Sequence, residues 1–324
     1  MTRAARFHDW GASPVVEDVP EPAYEPGRVL VEVKAAALNH LDLTVATGSF
    51  AMKPALPYVG GVEASGVVLA ADDAADDAAG GLAPGTQVLL RGGGLGLLRD
   101  GCWTERVSVS PKAVSPLAAP LPHEVAASFF VPATTAYVAL HDIARLEPGE
   151  EVVVAGAAGA VGAMVAQQAR LAGATVTGLV GRSDQLDRVP EGVRAVAADD
   201  AAAVAELASA RSASLLVDTL GGAGLVERTR WVRPGGRAVV IGYVLGASVT
   251  VDLPSWLLDD VALLPVNMVR HERRAREVAP SLVGRLASGE LGVEVERFDL
   301  SEIAEALESL RAGRVRGRAV VTFG

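Results

Sequence analysis

The sequence predicts a two-domain α/β protein, in which a β-rich unit built from both parts of the chain is interrupted by a doubly wound parallel sheet. Three observations predict it. The first third strings short apolar strands between Pro and Gly clusters. From Glu151 the chain alternates apolar strands with alanine-rich helical segments. The stretch after residue 266 is too short for a domain and is expected to return and complete the first one. The boundaries that follow are 1–120 with 267–324 for the β-rich unit, and 121–266 for the inserted unit.

In order along the chain, "RVLVEVKAAAL", "EASGVVLA", "GTQVLLRG" and "WTERVSVS" read as the strands of a small barrel-like unit. Between two of them "ADDAADDAAGGLAPG", Ala71 to Gly85, reads as a solvated acidic excursion. "HEVAASFFVPATTAYVALHDIARL" has helical spacing. The strands "VVVAG", "TVTGLV", "RAVAA", "LLVDTLGG" and "GRAVVIG" follow, each after a helical or turn segment. The tail reads as a helix from Arg273 to Ser288, a strand at "VERFDL", a helix from Ser301 to Arg311 and a last strand, "GRAVVTFG". "VALLPVNMV" fits an edge strand or an inner one.

At 324 residues, half of them hydrophobic, the chain exceeds the size at which one core stops growing. A net charge of -10 argues against nucleic-acid binding, which needs clustered Lys and Arg, and points to a small-molecule partner. The single cysteine, Cys102, allows no internal disulfide and no four-cysteine zinc site, and suits a reducing cytoplasm. No apolar run reaches the roughly 20 residues of a membrane span, and the opening "MTRAARFHDWGASP" lacks a signal-peptide core. A cytoplasmic protein with no membrane partner is the expectation.

The glycines of "EVVVAGAAGAVGAMVAQQ" fall as G-x-x-G-x-x-G at Gly156, Gly159 and Gly162. They sit at a strand-to-helix turn, where missing side chains let the backbone N–H groups of Ala160, Val161 and Gly162 approach a pyrophosphate. Gly159 and Gly162 take the close-approach and helix-packing roles, Ala157 stands where a first glycine is usual, and Gly156 supplies the turn. Gln167, Gln168 and Arg170 interrupt the apolar run and argue against a merely glycine-rich packing face. The second strand ends in "LVGRS": Gly181 carries no carboxylate to repel a 2'-phosphate, and Arg182 and Ser183 are donors for one. NADPH is the expected cofactor, with a solvated loop arginine the alternative reading of Arg182.

Together "VEVKAAALNHLDLTVATG", "LPYVGGVEASGVV", "TTAYVAL", "LEPGEEVVVAGAAGAVG", "LLVDTLGG", "WVRPGGRAVVIG" and "GRAVV" resemble the medium-chain dehydrogenase/reductase superfamily, in its zinc-independent quinone oxidoreductase branch. The resemblance implies a GroES-like catalytic domain, a Rossmann domain and, often, a homodimer formed through Rossmann sheet edges. Zinc-dependent members carry a cysteine where this chain has Asn39 and a histidine where it has Val62, so two zinc ligands are missing and no metal is expected. Their proton-relay hydroxyl matches Leu41, which cannot carry a proton.

What remains is hydride transfer to an acceptor that needs no metal Lewis acid, a quinone or an α,β-unsaturated carbonyl. By resemblance Asn39 lies beside the nicotinamide and is a donor to the developing oxyanion, and Thr135 is the threonine beside the nicotinamide. Tyr58 reads as a second donor or as packing; His40 as a pyrophosphate contact or as a plain loop histidine. Asp42 and Glu63 match residues that surround the zinc ligands, and without metal are read as structural. Gly242 and Tyr243 follow a strand end that brings their backbone near the nicotinamide. Two alternatives stay open: an enoyl-thioester reductase of a biosynthetic pathway, and a non-catalytic NADPH-binding sensor.

Overall fold

A computed structural model describes residues 1–324 apart from 51, 52, 74 and 77–79. The strands in chain order are β1 (Thr2–Phe7), β2 (Val15–Val19), β3 (Val29–Ala37), β4 (Tyr58–Val59), β5 (Glu63–Ala70), β6 (Gln87–Arg91), β7 (Arg106–Val109) and β8 (Val114–Pro116). They continue as β9 (Glu151–Ala155), β10 (Thr175–Val180), β11 (Arg194–Ala197), β12 (Ala213–Asp218), β13 (Val232–Val240), β14 (Ala262–Pro265), β15 (Val295–Asp299) and β16 (Arg318–Thr322). The chain divides into two compact units, Met1–Phe130 with Val293–Gly324, and Val131–Gly292.

In the first unit a seven-stranded sheet runs β15-β16-β3-β5-β6-β8, with β7 also paired to β3, and a three-stranded sheet runs β2-β1-β4. β3 organises the large sheet because its alternation buries Val29, Val31 and Val33 while Leu30, Glu32 and Lys34 face outward. Those valines join Val68, Leu90 and Trp103 in the core of the unit. The acidic excursion lies partly outside the described residues, and the described part is less solvated than expected. Asp72 accepts N–H bonds from Gly27 and Ala75, and Ala75 and Leu82 are buried.

The second unit holds a six-stranded parallel sheet in the order β11-β10-β9-β12-β13-β14. Numbered from β9 this is 3-2-1-4-5-6, the doubly wound order, whose direction reverses beside β9 and β12. β12 is buried along its whole length, as a strand covered on both faces must be. β14 terminates the sheet, which settles "VALLPVNMV" as an edge.

Both unit boundaries fall later than the sequence suggested, for reasons visible in the packing. The helix His123–Ala126 stays with the first unit, where Glu124 pairs with Arg297 of β15 and Ala127 packs on Ala35, Ala37 and Val320. The helix Glu272–Ala287, expected to belong to the returning tail, instead stays with the second unit. Its apolar stripe is buried from Ala275 to Leu286, and Arg274 bonds Asp142 and Tyr137 there. The return to the first unit comes at Val293. Among the described residues no helix is long and apolar enough to cross a membrane.

Candidate functional site

In the second unit the glycine turn connects β9 to the helix Ala160–Leu171, with Gly159 as its N-cap. Gly156 adopts a φ of +84°, which an L side chain rarely takes, and a Cβ there would lie 2.3 Å from Thr219 Oγ1. A Cβ on Gly162 would lie 2.1 Å from the Gly156 carbonyl oxygen, so the helix can approach the strand only because residue 162 has none. Gly159 has no capping side chain, which leaves the first-turn N–H groups of Ala160, Val161 and Gly162 for an external acceptor. These residues fit a dinucleotide pyrophosphate.

The ends of β12 and β13 are joined backbone to backbone. Leu245 N–H donates to Leu220 O, Gly222 N–H to Gly246 O, and Ile241 N–H to Asp218 O. Asp218, fully buried, accepts from the N–H groups of Leu220 and Gly221 and from Arg228 Nε at 2.5 Å, while Arg228 Nη2 donates to Gly221 O. This ion pair fixes the loop that presses on Gly242. The Tyr243 ring is 73% exposed. Thr135 is buried in the helix Phe130–Tyr137.

At the end of β10 Arg182 is exposed, and its guanidinium forks onto the Asp184 carboxylate, Nε to Oδ1 at 3.0 Å and Nη2 to Oδ2 at 3.2 Å. Ser183 gives both its N–H and its hydroxyl to Asp199. The strand end is free of carboxylates, as its sequence says; the space around it is not. Each carboxylate is held below its ordinary range by these bonds, so both are anions at neutral pH.

In the first unit, three adjacent strands assemble a buried polar cluster. β3 ends at Ala37, and Asn39 then caps the helix His40–Ala46. β5 begins at Glu63, and β16 begins at Arg318. Pairing of Val320 with Ala37 and of Ala36 with Ala64 brings the three together. Arg318 Nη2 donates to Asn39 Oδ1 at 2.6 Å and lies 3.6 Å from Glu63 Oε2. The Asn39 Nδ2 group is buried with no hydrogen-bond partner among the described residues. Asp42 accepts the Asn39 N–H at 2.8 Å and the Val62 N–H at 3.1 Å.

Burial dominates the electrostatics of this cluster. It pushes the Asp42 carboxyl up to about 7, against two backbone bonds, the nearby Asn39 side chain and the Arg318 charge, all of which favour the anion. Burial also pulls Arg318 below its ordinary value, countered by Glu63 and Asp42. His40, at the first position of the helix, is kept below its ordinary value by desolvation first and by Arg318 second, and so is neutral at pH 7. Burial raises the Cys102 thiol too, so it is no thiolate. Tyr58 is a core residue, its ring stacked on Phe7 at 5.2 Å and tilted against Trp10 at 5.7 Å, and of its two readings the geometry serves packing.

The sequence reading missed Arg318, Asp184 and Asp199. An arginine inside the otherwise apolar last strand was the one available signal, since an arginine is almost never buried unless paired. Among the described residues no group of three His, Cys, Asp or Glu side chains is placed to hold a metal ion.

Residues 25–119 match the family model of the alcohol dehydrogenase GroES-like domain, and residues 191–321 that of the zinc-binding dehydrogenase. A quinone oxidoreductase structure from Pseudomonas syringae is 25% identical with a TM-score of 0.82, covering 100% of both chains. The mitochondrial enoyl-acyl-carrier-protein reductase of Arabidopsis thaliana is 27% identical over 314 residues, 91% of this chain and 80% of the relative. A phenolphthiocerol/phthiocerol polyketide synthase polypeptide of Mycobacterium tuberculosis is 28% identical over 312 residues, 91% of this chain; the chain spans 14% of the synthase's length.

Proposed function

The chain belongs to the medium-chain dehydrogenase/reductase superfamily of oxidoreductases, which bind a nicotinamide cofactor, and from that premise we propose that it reduces quinones or α,β-unsaturated carbonyls with NADPH and without zinc. The observation that carries the reading is the Asn39 carboxamide. It is 7% exposed, its Nδ2 makes no hydrogen bond among the described residues, and it stands where zinc-dependent members place a thiolate ligand. A neutral amide is a poor zinc ligand and a good donor to a forming oxyanion.

In this reading bound NADPH supplies the hydride. The backbone N–H groups of Ala160, Val161 and Gly162 hold its pyrophosphate, and Arg182 and Ser183 take its 2'-phosphate in exchange for Asp184 and Asp199. Thr135 and the backbone at Gly242 and Tyr243 would flank the nicotinamide. Asn39 Nδ2–H stabilises the enolate or quinol oxygen as charge develops. Tyr58 serves by packing against Phe7 and Trp10. A dimer through the β14 edge is supported by Leu253, Leu257 and Leu258, all exposed on the helix before it, and light scattering reads its mass.

Consumption of NADPH with quinones, enones and enoyl thioesters, each with and without chelator, tests the reading. Turnover of a quinone or simple enone that survives chelation is expected. Turnover of thioesters alone selects the second reading, an enoyl-thioester reductase, which the name of the Arabidopsis relative favours. Cofactor binding with no turnover at all selects the sensor.

A further inference from the structure

We infer that Arg318 is the positioning residue for Asn39: its guanidinium fixes which way the carboxamide points, leaving Nδ2–H as the face available to an acceptor. The inference deepens the reductase reading and rests on it for its kinetic consequence, though not for its geometry. A carboxamide on its own is ambiguous, because the last side-chain torsion of Asn is broad and two-fold and its two ends have opposite hydrogen-bonding character. With Nδ2 presented it stabilises an oxyanion. With Oδ1 presented it repels one.

Arg318 resolves the ambiguity by chemistry. A guanidinium has five donors and no acceptor, so the atom it meets at 2.6 Å must be Oδ1. The bond is short and charge-assisted, and the opposite flip would set Nδ2–H against N–H. The Nδ2 group is then left buried without a hydrogen-bond partner, beside the Asp42 carboxylate on which it acts at longer range. Arg318 is itself held in place: its side chain is 11% exposed, and Glu63, 1% exposed, balances its charge at 3.6 Å. The pairing of β16 with β3 fixes both ends of the contact, across 279 residues of sequence.

The amide can be observed without cofactor or turnover, because the chain contains two asparagines, Asn39 and the exposed Asn267. In a chain labelled with [15N]asparagine the two side-chain NH2 groups are resolved by NMR. The wild type is expected to show one free-amide pair from Asn267 and one shifted, slowly exchanging pair from Asn39. Arg318→Met moves only the Asn39 pair and speeds its exchange; Arg318→Lys, which keeps a donor and a charge, restores part of the wild-type signal. If Arg318→Met does not fold, the double variant Glu63→Met with Arg318→Met removes both buried charges, a change such sites usually tolerate. An Asn39 pair unmoved by loss of Arg318 overturns the inference.

Kinetics supply the second arm. Arg318→Met is expected to lower kcat by up to the about 10²-fold that loss of one oxyanion donor costs, with KM and the NADPH Kd little changed. It adds nothing further in an Asn39→Ala background, because both changes remove one device. A weakened NADPH Kd with kcat kept assigns Arg318 to cofactor binding and overturns positioning. A wild type that reduces no acceptor while Arg318→Met still moves the amide leaves the positioning intact and removes the reductase reading instead.

Discussion

Gly162→Ala is the substitution for which the structure gives the clearest magnitude. The added Cβ would lie 2.1 Å from the Gly156 carbonyl oxygen, 2.7 Å from the Gly156 carbonyl carbon and 3.1 Å from Ala157 Cα. All three are backbone atoms of the turn, and the helix behind the new methyl buries Met164, Val165, Ala166 and Ala169. Neither side can give way cheaply, and reaching an ordinary contact near 3.4 Å requires the helix to move away by about 1 Å. Overpacking of this kind costs about 1–3 kcal/mol. For a unit of this size about 3 kcal/mol lowers Tm by roughly 6–12 °C.

Gly159→Ala is the control. Its Cβ would meet the same carbonyl oxygen at 3.3 Å, and its φ is already -81°. A loss below about 1 kcal/mol is expected there. Calorimetry measures both variants, and titration with NADPH should show the larger affinity loss in Gly162→Ala, whose helix N-terminus has been displaced. Equal Tm values for the two variants would refute the account of the turn.

The other expectations concern charge and chemistry. Arg182→Ala should weaken NADPH by about 10- to 100-fold and leave NADH nearly unchanged, whereas Asp184→Asn, by freeing the guanidinium, should tighten NADPH; calorimetric titration of both cofactors reads this, and equal weakening of both by Arg182→Ala would remove it as the selector. Asp42 is raised from 3.8 to about 7, so between those values the folded chain holds a proton the unfolded chain has released, and this group's contribution falls as pH rises from about 4 to about 7. Urea melts across that range should show Asp42→Asn gaining on wild type by on the order of a few kcal/mol; a constant difference would mean that the carboxyl is not raised. Asn39→Ala should lower kcat about 10²-fold while sparing the NADPH Kd, and an unchanged kcat would take Asn39 out of the chemistry.

Periodicity carried the architecture well because each parallel strand is an apolar run bounded by a turn, and burial on both faces leaves little room for other residue types. The helix at Ala160, the edge strand near Ala262 and the tail of helix, strand, helix and strand could all be placed that way. The helix Glu272–Ala287 was recognised as a helix but given to the other unit, because an amphipathic stripe says that a partner exists and not which one. The candidate site was half legible. Asn39 and the glycines announce themselves by residue type and spacing. The Arg318 contact with Asn39 depends on strand pairing between distant segments, and Asp199 meets Ser183 only because β11 lies beside β10. Local composition marks Arg318 as unusual in an apolar strand but names neither partner.

The split of the first unit across the chain has a consequence for the order in which the protein is made. The parallel sheet is one continuous segment, Val131–Gly292, and has all its strands as soon as that segment leaves the ribosome. The seven-stranded sheet must wait, with β3 lacking its β16 neighbour, until the whole of that inserted segment and the residues that follow it have been synthesised. The contacts of Arg318 with Glu63 and Asn39 form only after that interval. Arg318 is thus translated long after the residues it holds, and on this reading the site becomes competent only as β16 docks.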